Sequence, residues 1–416
     1  MLVVNGWPPF PVLVLALVVL LITTRRLGRL RLPVWLLVAG GALLTLLGGS
    51  ISAPRALQAI DWDVMGFLFG TFVLGGALVD SGYLYALAHR LLARAATTQV
   101  LVFWLVGGAG LGSAVLMNDT LAIMGTPLML RMAAAHRLPT RPLLLGLCFA
   151  VTTGGVMSPI GNPQNLLVAA QLDAPFRAFL GHLGPPTLLA LLLVYLAVRL
   201  AYRADFHAVP LVHPSVPLRD AALASRARLG LWLVLLMVLV KLVWLALLPD
   251  WPLPFAAIAL AGALPVLAYR PGRRQRLRRI DWGTLVFFVG LFVLLAAVWD
   301  SGYVQHQLAG ADPAAPATVA AAGLLGSQLI SNVPLVALYL PLLGLAAADP
   351  ATYLLLAATA TLAGNLTLLG AASNIIVLQA AERRGETFGQ WEFMRLGVPL
   401  TLAQLAVYAA WFRAFA

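Results

Sequence analysis

The stretch TTGGVMSPIGNPQN, residues 152–165, interrupts a segment of the chain that is otherwise apolar. Glycine, proline, asparagine and serine are poor formers of continuous helix, so we expect the helix to unwind here and restart a few residues later. A second interrupted apolar segment, TLAGNLTLLGAASN at residues 361–374, carries Thr, Gly, Gly and Asn in matching places, 209 residues further on. The pattern predicts two broken helices in corresponding positions of a duplicated chain.

The composition around these stretches is that of a membrane protein. Of the 416 residues, 61% are hydrophobic and 10% are charged, against about 25% charged residues in a soluble domain. This excludes soluble enzymes, nucleic-acid-binding proteins and disordered scaffolds. The single cysteine, Cys148, excludes an intrachain disulfide and a cysteine-based metal site.

Ten segments are apolar enough over a sufficient length to cross a bilayer. They are residues 9–24, 33–50, 62–80, 142–171, 184–203, 229–249, 252–269, 283–301, 352–380 and 395–414. The first is interpreted as a span and not as a cleaved signal, because no basic residue precedes it.

Two further apolar stretches, residues 99–134 and 317–346, are too long for one helix, and each has a polar middle. The polar middles are Met117-Asn118-Asp119-Thr120 and Ser331-Asn332-Val333-Pro334. Such segments are predicted to be re-entrant hairpins, whose tips must be surrounded by protein or by a water-filled cavity.

The arginines agree with this reading of the hairpins. With the N-terminus outside and both hairpins re-entrant, every arginine except Arg55, Arg177 and Arg413 falls in an inside segment. The net charge of +12 therefore follows from membrane topology, and no nucleic-acid partner is needed to explain it.

The two halves of the chain resemble each other. Asp61-Trp62 recurs as Asp281-Trp282, and the DSGY at 80–83 recurs at 300–303, both with an offset of 220 residues. The offset is 214 in the hairpins and 209 in the interrupted segments. We therefore expect repeats at 1–203 and 229–416, joined by a cytoplasmic linker at 204–228. Each repeat has five spans and one hairpin, and because five is odd the second repeat is inverted.

The interruptions supply the candidate binding site. A half-helix that starts inside the membrane offers free N–H groups and a partial positive charge to an anion, and one that ends there offers carbonyls to Na⁺ or a proton-carrying water. The predicted substrate-binding residues are Asn118, Thr120, Asn165, Asn332, Thr367 and Asn374. The predicted cation- or proton-coupling residues are Ser113, Asn118, Asp119, Gly161, Ser327, Asn332 and Gly370. For any one of them, close helix packing is the alternative.

Ionisable residues inside apolar segments are functional candidates by default, and two of them admit two interpretations. Asp119 either caps the second helix of its hairpin or couples transport to a cation or proton. Lys241 lies mid-span, where snorkelling or packing at a helix seam is favoured over substrate contact. The six histidines are scattered, and no two have metal-ligand spacing, so we predict no metal site and no catalytic residues.

At the tips and breaks the chain resembles the ion transporter superfamily, which includes divalent anion:sodium symporters, citrate transporters, arsenite efflux permeases and a class of Na⁺/H⁺ antiporters. The resemblance covers nearly the whole chain and is most specific in SPIGNPQN (158–165), SNVP (331–334) and GNLTLLGAASN (364–374). It implies an all-α polytopic fold with two inverted repeats, alternating access of the elevator type, and a scaffold that often mediates a homodimer.

The hairpin tips depart from the dicarboxylate branch of this superfamily, in which Ser-Asn-Thr at both tips helps to bind Na⁺ and substrate carboxylates. Here the central asparagines, Asn118 and Asn332, are kept, whereas Met117, Asp119, Val333 and Pro334 depart from that pattern. The tips look closer to the arsenite-permease side, which favours proton coupling over Na⁺-coupled dicarboxylate uptake.

The sequence thus predicts a secondary active transporter of the cell (inner) membrane that moves a small anion or oxyanion, similar to a dicarboxylate, citrate or arsenite, coupled to H⁺ or Na⁺. A Na⁺/H⁺-type cation antiporter is the alternative within the superfamily, and a channel is a further one. The membrane segments lack the motifs of an intramembrane enzyme, so we expect no enzyme and no cofactor beyond the coupling ion. The expected partners are the anion, the bilayer and a second copy of the chain.

Overall fold

Helices form the regular structure of the chain wherever the computed structural model describes it, which is over residues 8–24, 33–205, 218–247, 253–307 and 312–415. Within these residues no strand occurs. Each of the ten segments predicted to span the membrane contains helix, so the all-α prediction is confirmed.

The first half of the chain forms helices that we number α1 to α10. Their bounds are Phe10–Thr24, Val34–Leu47, Ala53–Ala59, Trp62–Asp80, Tyr83–Leu92, Thr98–Ser113, Asn118–His136, Thr140–Gly155, Pro163–Ala169 and Pro175–Ala201. The second half follows as α11 to α20. Their bounds are Ala221–Leu247, Phe255–Ala268, Arg273–Arg278, Trp282–Asp300, Tyr303–Gln307, Pro316–Ile330, Asn332–Leu345, Pro350–Leu362, Ala372–Glu382 and Gln390–Phe415.

Thirteen of these helices belong to three kinds. Among the described residues, five helices are long and apolar enough to cross a membrane, namely α4, α10, α11, α14 and α20. Two predicted spans are broken as expected, into α8 with α9 and α18 with α19. The two predicted hairpins consist of α6 with α7 and of α16 with α17, each bent at its polar tip.

Local sequence explains where the long helices begin. The carboxylate of Asp61 accepts the amides of Asp63 and Val64, both at 3.0 Å, at the start of α4. Asp281 caps α14 in the same way by accepting the amide of Thr284 at 3.0 Å. Such caps satisfy amides that have no partner inside the helix, which explains why an aspartate precedes each of these two helices.

The two halves pack on each other through equivalent contacts, which each half makes with the other. α4 lies along α12, and its counterpart α14 lies along α2. A Cβ on Gly70 would lie 2.6–2.8 Å from atoms of Ala259, and a Cβ on Gly290 would lie 3.0 Å from the backbone of Ala39. The two glycines are 220 residues apart, and so are the two alanines. A duplicated chain explains this reciprocity, and the inverted orientation of the halves stays a prediction.

Two ion pairs also join the halves in this reciprocal way. Arg55 on α3 donates from Nε to Asp300 Oδ2 at 3.0 Å and from Nη2 to Oδ1 at 3.1 Å. Arg279, directly after α13, donates to Asp80 Oδ1 at 3.4 Å. The two aspartates are the last residues of α14 and α4. Because all four side chains are partly exposed, each pair contributes at most about 1 kcal/mol.

Lys241 lies at a helix seam, which confirms the favoured interpretation. Its ammonium donates to the carbonyl of Leu253 at 2.7 Å and lies 3.7 Å from the ring centroid of Phe255. At the same seam the carboxylate of Asp63 accepts the amides of Phe255 at 2.9 Å and Ala256 at 2.6 Å. These contacts hold the start of α12 against α4 and α11.

The predicted linker, residues 204–228, is partly helical, because α11 already begins at Ala221. Arginine, alanine and leucine in this segment are good helix formers, which explains why the helix starts before its apolar part. Residues 206–217 of the linker lie outside the described residues. So do the residues before 8 and the basic segment 25–32, on which part of the predicted orientation rests.

The first broken helix lies at the centre of the molecule. All residues from 142 to 169 are buried, and so are residues 356–365 in the second broken helix. The first break is therefore surrounded by protein, which is the condition for non-helical backbone at membrane depth, whereas Leu369 in the second break is 57% exposed.

Candidate functional site

The side chain of Asn165 bonds the backbone carbonyls at the first break. Between α8 and α9, Asn165 Nδ2 donates to the carbonyls of Gly155 and Ser158 at 3.0 Å each and of Val156 at 3.3 Å. Asn162 caps α9, since its Oδ1 accepts the amide of Asn165 at 2.8 Å. The carbonyls at the end of α8 thus already have a donor inside the protein.

The second break uses the equivalent asparagine with fewer contacts. Asn374 Nδ2 donates to the carbonyl of Gly364 at 2.7 Å, which repeats the bond from Asn165 to Gly155 in the first half. No side chain caps the start of α19. Asn374 Oδ1 is buried and has no hydrogen-bond partner in the described part of the chain.

Gln328, on the second hairpin, contacts the second break directly. Its Nε2 donates to the carbonyl of Ala363 at 2.7 Å, and its Oε1 accepts from Thr367 Oγ1 at 2.7 Å. A Cβ on Gly370 would lie 3.2 Å from the same amide group. The predicted residues Thr367 and Gly370 therefore lie together against the hairpin.

The first hairpin is docked on the first broken helix. The amide of Asn118 donates to the carbonyl of Gly161 at 3.0 Å, and Asn118 Oδ1 accepts the amide of Asp119 at 2.9 Å. On the other helix of the hairpin, Ser113 Oγ donates to the carbonyl of Val151 at 2.6 Å. The structure brings these predicted residues together around α8 and α9.

Asp119 is not the cap of α7, because the residue in that position is Met117 and Asp119 lies in the first turn. The capping interpretation is therefore wrong, although a carboxylate in a first turn still suits the helix dipole. Thr120 packs on α4, where a Cβ on Gly75 would lie 3.2 Å from its hydroxyl oxygen. Thr120 thus marks the contact between the first hairpin tip and α4.

The second hairpin tip turns through Ser331, whose φ of 70° lies in the left-handed region. The next residue, Asn332, is buried, and its Oδ1 accepts the amide of Val333 at 3.0 Å. This bond repeats the bond between Asn118 and Asp119 at the first tip. The two predicted asparagines therefore have the same local role.

Thr361 joins the two breaks across the halves. Its hydroxyl accepts from Asn162 Nδ2 at 3.3 Å and Gln164 Nε2 at 3.2 Å, and it donates to Asn165 Oδ1 at 3.2 Å. Of this group only Asn165 was predicted as a site residue, although Asn162 and Gln164 lie within the quoted stretch 152–165.

A second buried network joins α8, α18 and α20. Asn365 Nδ2 donates to Thr153 Oγ1 and to Gln404 Oε1, both at 3.1 Å, and Gln404 Nε2 donates to Thr153 Oγ1 at 2.9 Å. None of these three residues was predicted from the sequence as a site residue. Gln404 could have been, because it is a polar amide in the middle of an apolar span.

Five buried side-chain oxygens at the second break and beside it have no hydrogen-bond partner within the described ranges. They are Thr152 Oγ1, Ser327 Oγ, Asn365 Oδ1, Ser373 Oγ and Asn374 Oδ1, on residues that are at most 1% exposed. Buried polar groups are normally paired, so each exception requires an explanation, such as an absent ion, water or ligand.

The two halves differ in this respect. Ser113 and Asn165 have partners for the atoms that are left free on their counterparts Ser327 and Asn374. The free acceptors are therefore concentrated in the second half.

Solved structures share this fold. The Alcanivorax borkumensis YdaH transporter matches 97% of this chain and 98% of its own, with a TM-score of 0.59 and 19% identity. Neisseria gonorrhoeae MtrF, described with a class of antimetabolite efflux pumps, matches 99% of this chain and 96% of its own, with a TM-score of 0.55 and 15% identity. At these identities the likeness shows the fold alone.

Sequence relatives are transporters. An uncharacterized transporter of Mycobacterium tuberculosis is 30% identical over 385 residues, which cover 86% of this chain and 87% of the relative. The silicon efflux transporter LSI3 of Oryza sativa subsp. japonica is 30% identical over 442 residues, which cover 88% of this chain and 90% of the relative. The family model described as citrate transporter matches residues 18–351. With its many apolar helices and this match over most of its length, the chain is a multi-pass membrane transporter that belongs to the citrate transporter family.

Proposed function

We propose that this transporter moves a small anion or oxyanion by secondary active transport, coupled to H⁺ or Na⁺. The observation that carries the proposal is the set of five unpaired, buried oxygens at the second break, next to a helix start that no side chain caps. Such a site offers acceptors for a cation and donors for an anion at the same break.

The anion is assigned to the start of α19. Its first-turn amides and the partial positive charge of the helix end favour an anion, and Ser373 and Asn374 in this first turn are fully buried. At the first tip, by contrast, the amide of Asn118 is already bonded to Gly161. Asn332 and Thr367 lie on the elements that flank the second break, and with Asn118, Thr120 and Asn165 in the first half they complete the proposed substrate set.

The coupling cation is assigned to oxygens near the second hairpin. Hard cations prefer oxygen ligands, and the hydroxyl of Ser327 is free, next to Gln328, which bonds the carbonyl of Ala363. The tip residue Asn332 and the break residue Gly370 belong to the same proposed set. Ser113, Asn118, Asp119 and Gly161 form its counterpart in the first half, where Asp119 supplies the one carboxylate at either hairpin tip.

Uptake into proteoliposomes tests the proposal. We expect accumulation of one member of a panel of citrate, dicarboxylates, arsenite, sulfate and soluble silicon, driven by an imposed Na⁺ or pH gradient and abolished when the gradient is removed. Silicon is included because a relative is named a silicon efflux transporter. Gradient-driven cation flux without any anion requirement would refute the anion proposal.

The position of Asp119 favours cation/proton antiport as the second candidate, since a carboxylate in the first turn of α7 can bind either ion. In that case Asp119→Asn abolishes Na⁺-driven proton movement while no anion is transported. Under the first proposal Asp119→Asn changes the pH dependence of anion uptake and leaves anion binding in place.

We further propose that α6 to α9 and α16 to α19 move as one body against the remaining helices, in an elevator mechanism. The hydrogen bonds of Thr361 to Asn162, Gln164 and Asn165, which join the two broken helices to each other, support this grouping.

A further inference from the structure

A cavity of about 330 Å³ lies between α5 and the first hairpin, away from the polar site. The helices α5, α6, α7 and α8 enclose it, with Leu87, Ala88 and Leu91 on one side and Trp104 and Ala109 on the other. Every lining residue except Trp104 is apolar, and none belongs to the proposed substrate or cation set.

This lining excludes the proposed anion as an occupant. A charged group there would lose its hydration without gaining a partner. The volume lies within the range of small-molecule sites, which are lined mainly by apolar side chains. An apolar chain is therefore the chemistry that fits.

Helix α5 combines an apolar face with a basic end. Leu84, Leu87 and Leu91 line the cavity at helical spacing, whereas Arg90 and the following Arg94 are exposed. This pattern is typical of amphipathic helices that lie in the membrane interface. Both arginines are among those predicted to lie on the inside, where anionic lipids attract basic segments.

The basic end of α5 has no acidic partner. In the part of the chain that the structure describes, no ion pair joins Arg90 or Arg94 to an Asp or Glu. Two other arginines near this helix, Arg131 and Arg219, lie over the ring of Tyr85 at 5.7 Å. Arg90 and Arg94 are thus placed to bind an anion from outside the protein, and arginine binds phosphate with two parallel hydrogen bonds.

We propose that this cavity is a lipid site, in which an acyl chain of an anionic phospholipid lies between α5 and the first hairpin and its phosphate contacts Arg90 and Arg94. The bound chain fills the space between α5, which follows α4, and the hairpin that carries Asn118. Anionic lipid therefore stabilises the contact between these two parts of the transporter.

Native mass spectrometry of the full-length protein tests this site, with phosphatidylglycerol and phosphatidylcholine of equal chain length as probes. The wild-type protein is expected to prefer phosphatidylglycerol by about tenfold, because its headgroup is anionic whereas the choline ammonium of phosphatidylcholine offsets the phosphate charge and repels the arginines. The double variant Arg90→Gln, Arg94→Gln loses this preference and binds both lipids equally. An unchanged preference in the double variant would refute the role of the arginines.

Filling the cavity separates this lipid from lipids bound elsewhere on the protein. Ala109→Phe removes one tightly bound phosphatidylglycerol, whereas the control Ala406→Phe, at an exposed position of α20, retains it. If Ala109→Phe does not fold, quenching by lipids brominated in mid-chain gives a second readout. Trp104→Phe must then lower the quenchable fraction of tryptophan fluorescence, and an equal fraction in wild type and variant overturns the proposal. Displacement of the lipid by the transported anion would assign the cavity to the transport site instead.

Discussion

Ser113 and Ser327 occupy matching places on the two hairpins, yet their hydroxyls have different surroundings. Ser113 Oγ bonds the carbonyl of Val151 at 2.6 Å, whereas Ser327 Oγ is buried without a partner in the described ranges. A buried hydroxyl without a partner is unfavourable unless another group binds it. Ser113 therefore stabilises the fold, whereas the hydroxyl of Ser327 is available to bind an ion.

Alanine at these two serines is expected to have opposite effects. Ser113→Ala removes the hydrogen bond to the carbonyl of Val151 and lowers the free energy of unfolding by about 1 kcal/mol. Ser327→Ala leaves stability nearly unchanged, but raises the cation concentration for half-maximal transport by about tenfold, if one oxygen ligand contributes about 1.4 kcal/mol. Unfolding in mixed micelles and cation titrations of uptake measure the two effects. A Ser327→Ala protein with wild-type cation dependence would remove Ser327 from the site.

The equivalent asparagines give a second matched pair at this scale. Asn165→Ala leaves three carbonyls at the first break without their donor, so we expect a loss of about 1–3 kcal/mol of stability together with transport. Asn374→Ala removes one such bond and is expected to abolish transport with a smaller loss of stability. Thermal unfolding and uptake of both variants check this order. Equal losses of stability would contradict the conclusion that Asn165 stabilises the first break through more hydrogen bonds than Asn374 makes at the second.

At the scale of helices, the apolar pattern was sufficient to predict where helices form, bend and break. Long apolar runs can only be stable as helices in a bilayer, and clusters of Gly, Pro and Asn mark where they stop. The amphipathic helix α5 was not predicted, because it is short and does not span.

The contacts between segments that are distant in the sequence could not be predicted either. Gln404 lies 251 residues from Thr153, and nothing local indicates that the two side chains meet. The same holds for Thr361 and Asn165, so the sequence predicted the members of the site without showing which of them are already paired.

The passage between α8 and α9 depends on a glycine at position 161. A Cβ there would overlap the carbonyl oxygen of Gly155, and the carbonyl of Gly161 itself accepts the amide of Asn118. Gly161→Ala is therefore expected to lower the free energy of unfolding by about 1–3 kcal/mol and to loosen the first hairpin. The control is Gly107→Ala in α6, where nothing lies within 4 Å of the added carbon and helix propensity favours alanine by about 1 kcal/mol. Hydrogen exchange of α7 provides the local readout, and unchanged protection in Gly161→Ala would contradict the coupling of hairpin and break.

At the scale of the whole molecule, the reciprocal contacts argue for one architecture. Gly70 with Ala259 and Gly290 with Ala39 are the same contact made twice, and the pairs of Arg55 with Asp300 and Arg279 with Asp80 follow it. The second and third helices of each half thus pack on the fourth helix of the other half, which is α4 or α14. Neither half therefore buries its fourth helix by itself. Such an exchange makes the two halves one folding unit, although the duplication created them as two.

The inverted orientation predicts that equivalent positions face opposite sides of the membrane. Gln58 on α3 and Arg278 on α13 are 220 residues apart and both exposed. In a protein whose only native cysteine, buried Cys148, is replaced by alanine, a membrane-impermeant maleimide added to intact cells should label Gln58→Cys and not Arg278→Cys. Permeabilised cells, in which both label, provide the control for reactivity. Labelling of both from outside would mean that the halves are parallel, and the positive charge of 270–279 would then need an explanation other than topology.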